Sequence, residues 1–261
     1  MNLIGLDIGN STINIGLFVE GKEEPIQTVK ADDKAQLAKI LSACWGKIPF
    51  VNNAKDDKRD GVIIASTVNP NALKMAADTV EEKLSEKLLV MGTDIGYPID
   101  ISVDDKDKVG SDRVTAASAA YAVVEEAVVI VDVGTAVTID LVDARGVFCG
   151  GSIIPGFQLS AKALYSGTAQ LPEIKIVKPA LPFGKNTEDA INCGLYYAMV
   201  GAIEEIIRRY AEKIGSWPKT ILTGSGAAVI KDDCQFIDSY VPNLVIKGIA
   251  LAYTKHIESR F

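Results

Sequence analysis

Three carboxylates stand where their neighbours give them chemistry. Asp7 and Asp132 each end an apolar run and are followed by a turn with glycine and polar groups, Asp7-Ile8-Gly9-Asn10-Ser11 and Asp132-Val133-Gly134-Thr135. A carboxylate beside a turn of free backbone N–H groups suits a phosphate carried with a metal ion. Asp112 is the third, in Gly110-Ser111-Asp112-Arg113, directly before an Ala-rich helical run. Such an Asp either caps its helix or acts as an acid–base group placed beside a cation. The only histidine is His256, far in sequence from all three, so proton transfer falls to carboxylates.

The elements that must position these groups repeat. Shifting Leu3–Phe18 by 125 positions lays it on the stretch around Val129–Val142, with Asp7 on Asp132, Gly9 on Gly134 and Gly21 on Gly146. Each copy reads as strand, turn, strand. Pro25–Val29 supplies a further strand, and Asp33 caps a helix carrying Leu37, Ile40, Leu41 and Cys44. The polar segment Phe50–Asp60 is an exposed connection, Gly61–Thr67 a buried strand, and Pro70 opens a helix that leads to a strand at Leu88–Met91. The segment Gly92–Gly110 has little periodicity, and loops of that length are commonly functional. The helix after Arg113 is rich in small residues and crosses between the halves, with Asp112 and Arg113 facing a cleft. Gly150-Gly151 and Pro155-Gly156 predict either close approach to a ligand or a tight strand-to-helix turn. A helix follows over Phe157–Tyr165, and Thr187 heads a long amphipathic helix whose free N–H groups suit a carboxylate. Gly184-Lys185-Asn186-Thr187 lacks the earlier glycine of a P-loop, since Pro179 stands there. Thr220–Thr223 is a strand, Gly224–Ala227 a turn against which a flat ring can lie, and Leu244–Tyr253 closes the chain as a helix or strand and helix. The class is α/β, in two related halves, 1–113 and 114–261.

Composition bounds the partners. The chain has 261 residues, 48% hydrophobic and 23% charged, with a formal net charge of −7. That charge opposes a general nucleic-acid or anionic-membrane surface. No apolar run approaches a membrane span and no targeting segment precedes the first strand, so the expectation is a cytoplasmic protein. Cys44, Cys149, Cys193 and Cys234 lack Cys-x-x-Cys spacing and read as reduced thiols.

Assembled, the motifs resemble those of the type III pantothenate kinases, within the acetate kinase, sugar kinase, Hsp70 and actin superfamily. Asp7–Ser11 matches Asp-x-Gly-Asn-Thr with Ser for Thr, and Gly110–Arg113 matches Gly-Ala-Asp-Arg with Ser for Ala. Asp132–Ala136 matches Asp-x-Gly-Thr-Ala, and Gly150–Gly156 matches Gly-Gly-x-Ile-x-Pro-Gly. The resemblance covers nearly the whole chain. It implies two duplicated ribonuclease-H-like, actin-like ATPase domains with a central cleft. The implied reaction is transfer of the ATP γ-phosphate to the 4′-hydroxyl of pantothenate, the first step of coenzyme A synthesis.

By the same resemblance Asp112 accepts the hydroxyl proton, while Gly110, Ser111, Asp112, Arg113 and Thr187 contact pantothenate. Asp7, Ile8, Gly9, Asn10, Ser11, Thr12, Ile13, Asn14 and Thr135 bind ATP, Asp7 helps hold Mg²⁺, and Asp132 holds a monovalent cation, K⁺ or NH₄⁺. A homodimer is implied. One position departs: a Tyr that touches pantothenate in the family is Val103 here, and Tyr97 lies off register. The lost hydrogen bond is worth ~1 kcal/mol. Two alternatives follow, a kinase for another small hydroxy acid and a regulator resembling the Bvg accessory factor.

Overall fold

The two strand-turn-strand copies fold alike because each strand is aliphatic on the positions that face inward. The computed structural model describes residues 1–51 and 58–259. The chain divides into two compact units, Met1–Asp100 with Asp105–Ala119 and Asn243–Phe261, and Ile101–Asp104 with Ala120–Pro242.

In the first unit β1 (Leu3–Ile8), β2 (Thr12–Val19), β3 (Lys22–Glu23) and β4 (Gln27–Lys30) precede α1 (Lys34–Lys47), β5 (Val62–Thr67), α2 (Pro70–Leu84) and β6 (Leu88–Val90). The sheet order is β3-β2-β1-β5-β6, with β4 also paired to β2. β1 is antiparallel to β2 and parallel to β5, and β5 is parallel to β6. Asp33 caps α1 by accepting from the Gln36 N–H, and Asn69 caps α2 from the Ala72 N–H, with Pro70 first in the helix where its missing N–H costs nothing. Leu37, Ile40, Leu41 and Cys44 of α1 are buried with Ile4, Leu6, Ile13 and Ile15 of the sheet. Of the Phe50–Asp60 connection, residues 52–57 lie outside the described residues; on either side of them Phe50 pairs with Arg59, whose guanidinium lies 4.4 Å from the Phe50 ring centroid.

The connection 92–110 contains a short strand, β7 (Asp100–Ile101), and a single 3₁₀ turn at Lys106–Lys108. α3 (Ser111–Val124) begins in the first unit, and its residues from Ala120 onward belong to the second.

The second unit holds β8 (Val128–Val133), β9 (Ala136–Val142), β10 (Val147–Pro155), α4 (Phe157–Gly167), α5 (Thr187–Ile214), β11 (Lys219–Thr223), α6 (Ala227–Ile230) and β12 (Ser239–Tyr240). Its sheet runs β12-β11-β8-β9-β10-β7, with β8–β9–β10 antiparallel and β11 and β12 parallel to β8. The central order therefore repeats that of the first unit, and β8 falls on β1 at the 125-residue shift. The chain closes with α7 (Leu244–Glu258), an uninterrupted helix that returns to the first unit.

Gly150-Gly151 form a bulge within β10, where the register slips between Phe148 and Gly150 and Gly150 has φ +98°. The tight strand-to-helix turn lies at Pro155-Gly156, between β10 and α4. One expectation is corrected. Among the described residues α5 is long and apolar enough to cross a membrane by length and composition, against the expectation that no run approaches a span. Its Tyr196, Met199, Ile203 and Ile207 are buried in the second unit's core with Val131, Val137 and Leu222.

α7 packs on β1, β2 and β5. A Cβ on Gly248 would lie 2.1 Å from the Thr115 carbonyl oxygen. Because that oxygen belongs to helix backbone, it cannot yield locally. Gly248→Ala is expected to destabilise the first unit by about 2 kcal/mol in urea unfolding, an overpacking cost.

Candidate active site

The first carboxylate is set by a row of paired residues across the first sheet. Thr28 on β4 opposes Asn14 on β2, Asn14 opposes Asp7 on β1, and Asp7 is paired with Ser66 on β5. Directly paired residues share a face, so the row brings four polar side chains side by side. The Thr28 hydroxyl donates to Asn14 Oδ1 at 2.9 Å, and Asn14 Nδ2 donates to Asp7 Oδ2 at 3.0 Å. Thr28 thus fixes which way the Asn14 amide points. The adjoining turn is closed by the Gly9 N–H donating to the Thr12 carbonyl at 3.0 Å, leaving Asn10, Ser11 and Thr12 exposed at its tip. Ile8 and Ile13 are paired beneath it and buried in the core, so they hold the turn through backbone. Asn10, Ser11 and Thr12 also border a cavity of about 750 Å³ with Lys30, Asp32 and Asn69.

The Ser66 end of the row meets α3. Ser66 Oγ lies 2.7 Å from Ser111 Oγ and 3.4 Å from Thr115 Oγ1. Asp112 is the second residue of α3, not its cap, and its Oδ1 accepts from the Arg113 backbone N–H at 2.8 Å. A Cβ on Gly110 would sit 2.6 Å from that same Oδ1, so a glycine lets the carboxylate fold back over the turn. Burial raises the Asp112 pKa, against the Arg113 N–H and charge, which lower it. Asp7 is pushed up to about 6, first by burial and then by the Asp112 charge, against the Asn14 hydrogen bond. Asp7 and Asp112, far apart in sequence, therefore sense each other in the first unit. Tyr97 lies near enough to sense the same charge: burial, and then the Asp112 charge, raise its phenol.

The second unit repeats the row with different neighbours. Asp132 is paired with Thr138 on β9 and Thr223 on β11. Its turn closes by the Gly134 N–H donating to the Ala136 carbonyl at 3.0 Å, one residue shorter than in the first unit. Thr135 is exposed at the tip, and its carbonyl accepts from the Gly156 N–H at 2.9 Å. A Cβ on Gly224 would lie 2.3 Å from Asp132 Oδ1, and one on Gly226 2.8 Å from Val133. The protein's own β8 thus packs against the glycines of this turn. Thr187 opens α5, exposed, with Asn186 as cap accepting from the Asp189 N–H at 2.9 Å. Val103 also falls in the second unit, 3.5 Å from where a Cβ on Gly150 would be.

Among the described residues no group of three or more His, Cys, Asp or Glu side chains gathers. A divalent ion would be held here as Mg²⁺ usually is, by one or two carboxylates completed with water and substrate phosphate oxygens, and the partly exposed Asp7, with one oxygen oriented by Asn14, fits that habit.

The sequence profile of type III pantothenate kinases matches residues 3–209. The chain belongs to that family. Curated relatives include type III pantothenate kinases of Dehalococcoides mccartyi, 32% identical over 96% of this chain and 96% of the relative, and of Brevibacillus brevis, 33% identical over 97% and 99%. Solved structures of similar fold include a protein described as a Baf family transcriptional activator from Campylobacter jejuni (TM-score 0.62, 21% identity, 98% of this chain and 99% of that one) and MreB5 of Spiroplasma citri bound to AMPPNP (TM-score 0.52, 11% identity, 100% and 99%). These place the family chain in the actin-like ATPase fold of duplicated ribonuclease-H-like domains.

The raised Asp7 has a measurable consequence. An acid whose folded pKa lies above its unfolded value favours folding when protonated, and that contribution is lost as pH rises through the folded pKa. Metal- and nucleotide-free protein should lose stability between about pH 4 and pH 6 from this group, from the ordinary 3.8 to the shifted value. Asp7→Asn should flatten that window and raise the melting temperature at neutral pH by about 3 °C, read by calorimetry in chelator.

Proposed function

We propose that Asp112 is the base for phosphorylation of pantothenate at its 4′-hydroxyl by ATP. The chain is an ATP-dependent pantothenate kinase of coenzyme A biosynthesis. The observation that carries the reading is the half-buried Asp112 at the start of α3, its Oδ1 held by the Arg113 N–H at 2.8 Å and its charge felt by Asp7 in the same unit.

In this mechanism the hydroxyl oxygen attacks the γ-phosphorus, its proton passes to Asp112, and the bond to the ADP oxygen breaks. Phosphoryl transfer asks mainly for positioning and charge neutralisation, so one carboxylate base suffices without histidine. Burial raises the Asp112 pKa, which makes its carboxylate a stronger base. Gly110, Ser111, Arg113 and Thr187 contact pantothenate. The first turn, Asp7–Asn14, and Thr135 of the second bind the ATP phosphates through backbone N–H and hydroxyl groups. Asp7 holds Mg²⁺, which when bound neutralises charge on the transferred phosphoryl. Asp132, flanked by Thr138 and Thr223, holds K⁺ or NH₄⁺. The enzyme works in the cytoplasm as a homodimer, with neither nucleic acid nor membrane as partner. The regulator reading has no support beyond a fold neighbour's name at 21% identity.

Asp112→Asn keeps the shape and removes the base. It should lower kcat by about 10²- to 10⁴-fold while ATP still binds by calorimetry; wild-type turnover in that variant would sink the base assignment. A panel of other small hydroxy acids phosphorylated in preference to pantothenate would overturn the substrate.

For the second turn, Asp132→Asn is expected to abolish the stimulation of turnover by K⁺ or NH₄⁺ and to raise the KM for ATP, leaving the KM for pantothenate nearly unchanged. Equal salt response in the variant and the parent would remove Asp132 from cation binding.

A further inference from the structure

We infer that Thr28 is a positioning residue for the strand-end carboxylate Asp7, acting through the Asn14 amide to keep one carboxylate oxygen for a divalent cation carried by the nucleotide. The inference rests on Asp7 as the metal-holding residue and extends the site to β4, outside the matched motifs.

Strand register brings Thr28 to the site. Val29 is buried opposite Ile13, so the core pins the pairing of β4 with β2 and leaves Thr28 on the other face, opposite Asn14. There the Thr28 hydroxyl donates to Asn14 Oδ1 at 2.9 Å, and Asn14 Nδ2 donates to Asp7 Oδ2 at 3.0 Å. An Asn amide has a donor end and an acceptor end, and its last torsion is broad and roughly two-fold. An ionised carboxylate only accepts, so Asp7 needs the NH₂ end. With Thr28 donating to the other end, both ends of the amide are satisfied in the one orientation that serves Asp7, and the polarised amide is the better donor. Oδ2 is thereby occupied, which leaves Oδ1 for the cation. Mg²⁺ demands near-ideal octahedral geometry, so a carboxylate held in one orientation suits it.

The second unit supplies an internal comparison. At the 125-residue shift Asp132 stands for Asp7, and its β9 partner Thr138 stands where Asn14 does. The next residue along that row, on β10, is Ile153, paired with Thr138 and 60% exposed. The same place in the same sheet order therefore accepts a hydrocarbon side chain. Strand pairing asks only for a β-branched residue there. The Thr28 hydroxyl is an addition the fold does not need, and its hydrogen bond goes to Asn14.

Calorimetry of Mn²⁺·ATP binding to the whole enzyme tests this without turnover. Thr28→Val keeps the shape and removes the hydroxyl. It is expected to weaken Mn²⁺·ATP about fivefold, the worth of one hydrogen bond, with binding of ATP in EDTA and the metal-free melting temperature unchanged. Thr28→Ser keeps the hydroxyl and should bind Mn²⁺·ATP as the parent does. Combining Thr28→Val with Asn14→Val should weaken binding no further than Asn14→Val alone, since both break the same link. Parent affinity in Thr28→Val overturns the proposal, as does an equal loss in Thr28→Ser or a multiplicative loss in the pair. So does a loss that appears equally with ATP in EDTA, which marks a general structural role. Asp7→Asn separates the two assignments. It should bind Mn²⁺·ATP more weakly than Thr28→Val does; parent affinity in Asp7→Asn overturns the metal assignment and the Thr28 inference with it. A loss in Asp7→Asn beside parent affinity in Thr28→Val overturns Thr28 alone.

Discussion

The polar row across the first sheet is the interaction on which the site depends. A carboxylate at the end of a central strand, hemmed by protein, is costly to ionise unless hydrogen bonds or a cation compensate. Asp7 has one oriented donor, the Asn14 amide, itself turned by Thr28, and it faces a second carboxylate, Asp112. Those supports leave its pKa well above the ordinary carboxylate value. The pair is thus a standing demand for positive charge. A cation placed against the pair would meet that demand, and stability withheld from the free protein would be returned as binding.

Duplication supplied the scaffold and then let the two rows diverge. In the second unit the partners of the strand-end carboxylate are Thr138 and Thr223, in place of Asn14 and Ser66. The turn is also one residue shorter, with the glycine N–H closing on Ala136 two positions on, where Gly9 closes on Thr12 three positions on. Equivalent carboxylates therefore have unlike neighbours.

Much of this was legible because it is written locally. The echo of Leu3–Ile8 in Val128–Val133, the Asp33 cap and the Pro70 helix start depend on residues a few positions apart. What escaped depends on distant partners. β12 is two residues long and exists only because Ile221 and Leu222 lie beside it. Nothing in the apolar pattern of α7 says which sheet it covers, yet Gly5 and Gly16, paired on β1 and β2, leave the flat surface that Ile246 occupies. Gly150-Gly151 looks like a turn until the register with β9 shows a bulge. The neighbours of Tyr97 were invisible for a similar reason: in a segment without periodicity, only folding lays its phenol over Gly92.

The glycines of the second unit sharpen how such a site is made rigid. A glycine beside a phosphate-binding turn invites the reading that a ligand needs its bare backbone. Here Gly224 and Gly156 are already required by the protein, the first by Asp132 Oδ1 and the second by the carbonyls of Gly134 and Thr135, at 2.3, 2.2 and 2.6 Å from a would-be Cβ. The same chain segments that approach so closely also hydrogen-bond the turn, Gly156 to Thr135 and Gly226 to Val133. Turn and carboxylate are therefore clamped by two separate stretches of chain, at Gly156 and at Gly224–Gly226. A turn clamped in this way needs little further ordering to take a ligand, so little binding energy would be spent on arranging it.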